Sequence, residues 1–168
     1  MGQLAQQPEI MSAQRLRELG QAAFERFGVP ADDARLCTEL LVMADLFGLS
    51  THGMSRLESY GERLRIGGIN PAPNIQIKRM ANAVIKVDGD NGLGPVVGMR
   101  TLRATMALAR EHGVAVGFAH GSNHFGPISP YLYEAAQSGM ASLVCSNATT
   151  TIAPWGGSDA RLGNNPMG

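Results

Sequence analysis

Residues 49–65 read LSTHGMSRLESYGERLR and place His52, Arg56 and Tyr60 at i, i+4 and i+8. Steps of four keep side chains on one face of a helix, each about a turn beyond the last. The spacing predicts a helix over 53–65, with Ser50 or Thr51 able to cap it by accepting a hydrogen bond from an unpaired backbone N–H. Met54, Leu57, Gly61 and Leu64 form the opposite, apolar stripe, the pattern of a face packed on a core. The polar face is then left to look into a cleft. A proton-transfer group, a planar cation and a phenol on one face suit a small anionic oxo-acid. A solvated helix face with a capping histidine has the same spacing, so position alone leaves both readings open.

Upstream, the polar opening MGQLAQQPEIM reads as frayed. Ser12 then caps a helix with Leu16, Leu19, Ala23 and Phe27 at helical spacing, ended by Gly28. Val29-Pro30 restarts the chain. Asp32 and Asp33 favour a helix N-terminus, and Cys37, Leu40, Leu41 and Ala44 supply the next stripe. These segments and the 53–65 helix form a helical unit over residues 1–70, closed by Gly67-Gly68 and the proline-punctuated INPAPN.

A second unit, residues 71–168, opens with strands over 75–80 and 83–88 joined at Ala81-Asn82. Pro95 suits the first turn of a helix striped by Met99, Leu102, Met106 and Ala109 and closed by Gly113. The apolar runs 114–119 and 140–145 read as buried strands flanking a helix marked by Ile128, Leu132 and Ala135. A strand, helix, strand unit of this kind implies a crossover, with ligands gathering beyond the carboxyl ends of the strands. Those ends carry Ser122-Asn123-His124 and Ser146-Asn147. From residue 148 onward the chain reads as loop with no apolar period, and an ending at LGNNPMG looks cut. The fold class expected is mixed α/β, a helical unit followed by part of a mixed-sheet domain.

Composition narrows the chemistry. Basic and acidic residues balance at 14 each, which removes any electrostatic footprint for nucleic acid or anionic membrane and points to small-molecule partners. Cys37 and Cys145 fall in segments read as helix and buried strand, so both are expected to be reduced core thiols of a cytoplasmic protein. The glycines of GLGPVVG, 92–98, are tempting as a dinucleotide fingerprint. Their spacing is one residue too long, and Pro95 removes an N–H where a phosphate wants one, so a turn and helix start is the better reading. His112, His120 and His124 come with no carboxylate or thiol in a recognisable ligand pattern, and no metal is expected. No strained nucleophile elbow is present. His124 stands out because it sits in a glycine-flanked loop between a strand and a helix, where backbone N–H groups face a ligand; a turn histidine capping the next helix is the alternative.

ADLFGLSTHGMSRLESYGERLRIGGINP, VDGDNGLG, SNHFG, NATTTIAPWGG and LGNNP, in that order, resemble the malate/L-lactate dehydrogenase family, whose members lack a Rossmann fold. The resemblance implies a homodimeric oxidoreductase that uses NAD or NADP and moves hydride to or from C2 of a 2-hydroxy or 2-oxo acid. It implies that His52 exchanges the proton with Thr51 orienting it, that Arg56 clamps the substrate carboxylate and that Tyr60 lines the pocket. His124, Phe125, Gly126, Pro127 and Ile128 match the loop that touches the nicotinamide cofactor, and some members assign the acid/base role to this histidine, so two histidines compete for one task. Asn147, Ala148, Thr149, Pro154 and Asn165 fall in loops resembling others around that cofactor. Family members run on past residue 168, where further cofactor contacts and an acidic partner for His52 are expected. The rival expectation is a truncated, catalytically incomplete chain that at most binds a partner copy. A metal-dependent hydrolase is the weakest reading.

Overall fold

The computed structural model describes residues 10–168. The frayed opening expected from the sequence lies almost wholly outside them. Helix α1, Ala13–Arg26, begins where the Ser12 hydroxyl accepts from the Arg15 N–H, as the sequence predicts; such a cap is worth about 1 kcal/mol. Its packed side is centred on Gly20 and Phe24, while Leu19 and Phe27 keep about two-fifths of their surface exposed. The expected stripe is therefore rotated toward the partner helix. The cause is close contact: a side chain on Gly20 would run into Thr38 of α2, Ala31–Leu46. Cys37, Leu40, Leu41 and Ala44 of α2 are all buried, as their spacing requires.

A short 3-10 turn, Ser50–His52, leads to α3, Arg56–Arg65. The hairpin follows as β1, Gln76–Ala81, antiparallel to β2, Val84–Gly92. Helix α4, Gly94–His112, carries Pro95 in its first turn and ends at Gly113 with φ 81°. It crosses to β3, Val116–Ser122, which pairs parallel with β2, and α5, Ser129–Gln137, comes last. The sheet order is β1-β2-β3. The observed crossover is thus β2-α4-β3.

Two expectations about buried strands fail. β3 has β2 as its sole neighbour among the described residues, and Val116 and Phe118 are 46% and 62% exposed. The run is an edge strand because β2 alone pairs with it among the described residues, and the two side chains are exposed because they point away from α4, against which Gly117 lies at Thr105. Residues 140–145 form no strand. The backbone there makes a paired contact between Val144 and Gly168 and a single bridge from Cys145 to Met167. Cys145 is consequently exposed, against the expectation of a core thiol, whereas Cys37 is fully buried. Apolar character favours burial, but a strand also needs a partner for its backbone.

The largest core joins all the early helices to the start of α4. Phe24, Cys37, Leu41, Tyr60 and Leu64 pack with Leu93 and Val96. Each fully buried Leu or Phe contributes about 1.5–3 kcal/mol, more than any single cap, so packing fixes how the helices sit on the sheet. Asp33 of α2, itself buried, accepts a charge-assisted hydrogen bond from Arg100 of α4 across the same junction.

Between Asp88 and Gly92 the β2–β3 register shifts, with Asp90 at φ 47° and Asn91 at φ 56°. Asp90 accepts from the Asn70 side chain and the Asn74 N–H, and Asn123 donates to Asn91. Gly94, just beyond, lies directly against the carbonyls of Asn123 and His124, and a methyl there would overlap both. Gly94→Ala is expected to cost about 1–3 kcal/mol in urea unfolding, as overpacked sites do, and to displace the His124 ring in its NMR spectrum. An unchanged midpoint and an unmoved ring would refute this account of the glycine.

Candidate active site

His52 sits on the 3-10 turn and not on the helix that follows. The Asp45 carboxylate accepts from the Met54 N–H at 2.8 Å, and the carboxylate fills the space a side chain on Gly53 would need. Ser55 Oγ donates to the Ser50 carbonyl at 2.6 Å, and Arg56 Nε donates to the Thr51 carbonyl at 2.7 Å. These bonds hold the turn and delay the helix to Arg56. The expected continuous helix over 53–65 is thereby corrected, and so is its cap. Ser50 and Thr51 do not cap α3; Thr51 Oγ1 lies 2.9 Å from His52 Nδ1 instead. Asp45, which the sequence reading missed, is the residue that shapes the turn. Its only local signal is an acid near the end of α2 followed by two glycines.

Tyr60 stands one turn into α3 and is 4% exposed, so it is not on an open polar face. Its hydroxyl lies 2.7 Å from His124 Nδ1 and 3.1 Å from the His124 carbonyl oxygen. His124 follows β3 on the loop to α5. That loop is braced from behind, where Tyr131 donates from its hydroxyl to the Phe125 carbonyl and the two rings pack 5.2 Å apart. The helical segment and the sheet segment thus bring His52 and His124 together. Their rings stack with centroids 5.5 Å apart and planes inclined by 30°.

The electrostatics follow from this placement. Partial burial is the main cause that lowers both imidazole pKa values, and the Arg56 guanidinium lowers them further. His124 falls to about 4 from an ordinary 6.5, with His52 and Arg63 adding to the effect. Both rings are neutral at pH 7. Burial pushes the Tyr60 phenol up, so it stays protonated. Arg56 Nη1 and Nη2 have no hydrogen-bond partner among the described residues, so a planar guanidinium edge able to pair with a carboxylate is left near two neutral imidazoles able to accept a proton.

The remaining residues singled out from the sequence group differently. Phe125, Gly126, Pro127 and Ile128 continue from His124 into α5; Gly126 has φ 80° and open space where a side chain would point. Ser129 Oγ, at the start of α5, is buried with no hydrogen-bond partner. A loop with an open glycine face and an unsatisfied hydroxyl fits a bound polar group such as a nicotinamide cofactor. Asn165, at φ 39°, accepts from the Ala148 N–H at 2.9 Å and ties two of the predicted loops together. Among the described residues, no hydrogen bond or ring contact joins Asn147, Thr149 or Pro154 to the histidine pair. His112 meets Arg79, and His120 lies 3.9 Å from Asp88. No group of three acidic, cysteine or histidine side chains is arranged to hold a metal among the described residues, and no helix there is long and apolar enough to cross a membrane.

Residues 11–168 match the family model described as malate/L-lactate dehydrogenase. The chain belongs to this family. A malate dehydrogenase of Pyrococcus horikoshii is 38% identical over 142 residues, covering 84% of this chain and 39% of the relative. The (2R)-3-sulfolactate dehydrogenase (NADP(+)) of Chromohalobacter salexigens is 33% identical over 158 residues, 94% of this chain and 47% of the relative. The solved structure of malate dehydrogenase from Pyrococcus horikoshii superposes with a TM-score of 0.91 at 34% identity, over 99% of this chain and 48% of that one. The chain spans under half the length of each of these relatives.

Because both imidazoles bind protons less readily folded than unfolded, the unfolded chain carries more protons between about pH 4 and 6.5. Their contribution to stability is full above pH 6.5 and is lost as the pH falls toward about 4. Urea midpoints are expected to drop across that window, and to drop less in His124→Gln. Parallel pH curves for the two proteins would contradict the assignment.

Proposed function

We propose that these residues form the substrate end of an oxidoreductase that uses NAD or NADP to move hydride to or from C2 of a 2-hydroxy or 2-oxo acid. The observation that carries the reading is the neutral His52–His124 pair stacked beside Arg56. Arg56 takes the substrate carboxylate through its Nη edge, a bidentate contact that also fixes which way C2 faces. On oxidation, an imidazole of the pair accepts the hydroxyl proton; on reduction, the protonated imidazole returns it to the developing alkoxide oxygen. A bound carboxylate also offsets the Arg56 charge, which raises the basicity of both rings as substrate arrives. Thr51 orients His52 through Nδ1. The loop His124, Phe125, Gly126, Pro127 and Ile128, with Asn147, Ala148, Thr149, Pro154 and Asn165, would hold the cofactor. When bound, it supplies the hydride donor or acceptor.

In this reading residues 1–70 serve substrate and dimer contacts, and 71–168 contribute to the cofactor unit. A homodimer in the cytoplasm belongs to the same proposal; two cysteines that form no disulfide are consistent with that location. Malate and sulfolactate, the acids in the relatives' names, are the first substrates to test.

The test is nicotinamide absorbance during oxidation of these acids. Arg56→Lys is expected to raise KM about tenfold or more, ~1.4 kcal/mol, with a smaller change in kcat, because lysine lacks the planar fork. Replacing the acid/base imidazole should lower kcat by about 10²–10⁴, and comparing His52→Ala with His124→Ala identifies which ring it is. Unchanged turnover in both histidine variants would sink the mechanism. Binding of cofactor and acid with no hydride transfer would favour a chain that at most binds a partner copy.

A further inference from the structure

The Tyr60 hydroxyl makes two contacts on one residue, and the chemistry of those contacts determines where the proton on His124 lies. A carbonyl oxygen only accepts, so the 3.1 Å contact to the His124 carbonyl uses the single proton of the phenol. No other donor among the described residues reaches that carbonyl, and Gly94 packs against it. An unpartnered carbonyl under such cover is costly. With its proton so committed, Tyr60 meets Nδ1 at 2.7 Å as an acceptor, and Nδ1 must be the donor.

We infer that Tyr60 is a positioning residue that holds His124 as the Nδ1–H tautomer, leaving the lone pair on Nε2. A neutral imidazole in water prefers the opposite tautomer, so the contact has a task to perform. The arrangement is closed on itself. Nδ1–H donates to the phenol oxygen, the phenol donates to the carbonyl of the same residue, and both ring orientation and tautomer are set by one side chain from the core of the helical unit. The raised pKa of the buried phenol keeps its proton in place throughout the ordinary pH range.

His52 has no comparable device. Its Nδ1 faces a threonine hydroxyl, which can donate or accept and so permits either tautomer. Of the two rings, His124 is the one whose Nε2 is committed as an acceptor in the neutral state. Resting on the proposed dehydrogenase reading, this suits removal of the hydroxyl proton in the oxidative direction. After that transfer the same Nδ1–H bond persists, and Nε2–H becomes the donor for the reverse step.

The experiment is long-range ¹H–¹⁵N correlation NMR on the ¹⁵N-labelled chain at pH 7, with the His124 ring signals assigned by their loss in His124→Gln. A pyrrole-type Nδ1 and a pyridine-type Nε2 are expected for His124. In Tyr60→Phe, which removes only the hydroxyl, the major form should reverse to Nε2–H while the amide spectrum of the core stays in place. A wild-type His124 already in the Nε2–H form would overturn the inference, as would a tautomer that survives the loss of the hydroxyl. If Tyr60→Phe fails to fold, the wild-type tautomer alone decides. The readout needs no turnover, so a tautomer as expected in a chain without hydride transfer would separate this inference from the proposed function.

Discussion

One buried phenol ties the two halves of this chain together. Tyr60 belongs by packing to the cluster of Phe24, Cys37, Leu41 and Leu64, yet its only polar atom is spent on a residue 64 positions further along. Burying a hydroxyl without a partner costs free energy, and a partner beyond the helical unit satisfies it only when the His124 loop is seated. The core and the site are therefore not separate achievements of the fold. Leu93 and Val96 bring the start of α4 into the same cluster, and the glycine between them lets the loop backbone come close enough for the phenol to reach.

The site is assembled from two kinds of backbone. On one side is a turn held by hydrogen bonds that Asp45 accepts and that Ser55 and Arg56 donate. On the other is a loop braced by Tyr131 and covered by Gly94. Neither is a regular element, which suits a place where side chains must point off the axes of helices and strands. Partial burial does most to keep both rings neutral, and the Arg56 cation acts on the two at once in the same direction.

Much of this was legible in the sequence where the signal is local. Ser12 as a cap, the stripe through Cys37, Leu40, Leu41 and Ala44, and Pro95 opening α4 each depend on neighbours within a turn or two, and each holds. The His52 and His124 rings, singled out separately in the sequence, lie together, with Arg56 acting on both. The helical face drawn through His52 does not survive, because Asp45 reaches back across the turn and no periodicity encodes that contact. The run at 140–145 was misread for a related reason: hydrophobicity is a property of the segment, whereas a strand is a property of two segments. The Tyr60–His124 pair lay beyond spacing arguments altogether.

The left-handed pair Asp90-Asn91 bears on how the sheet keeps its alignment. A strand of alternating side chains can in principle slide along its neighbour by two residues and lose little. β2 cannot, because a slide would carry other residues into a kink that suits Asn, Asp and Gly and would cost roughly 1–2 kcal/mol for each residue that does not. The kink therefore acts as a register lock. It sits where the linker around Asn70 and Asn74 meets the Asn123 side chain, so the pairing of three strands and the entry to the His124 loop are indexed from one point in the chain.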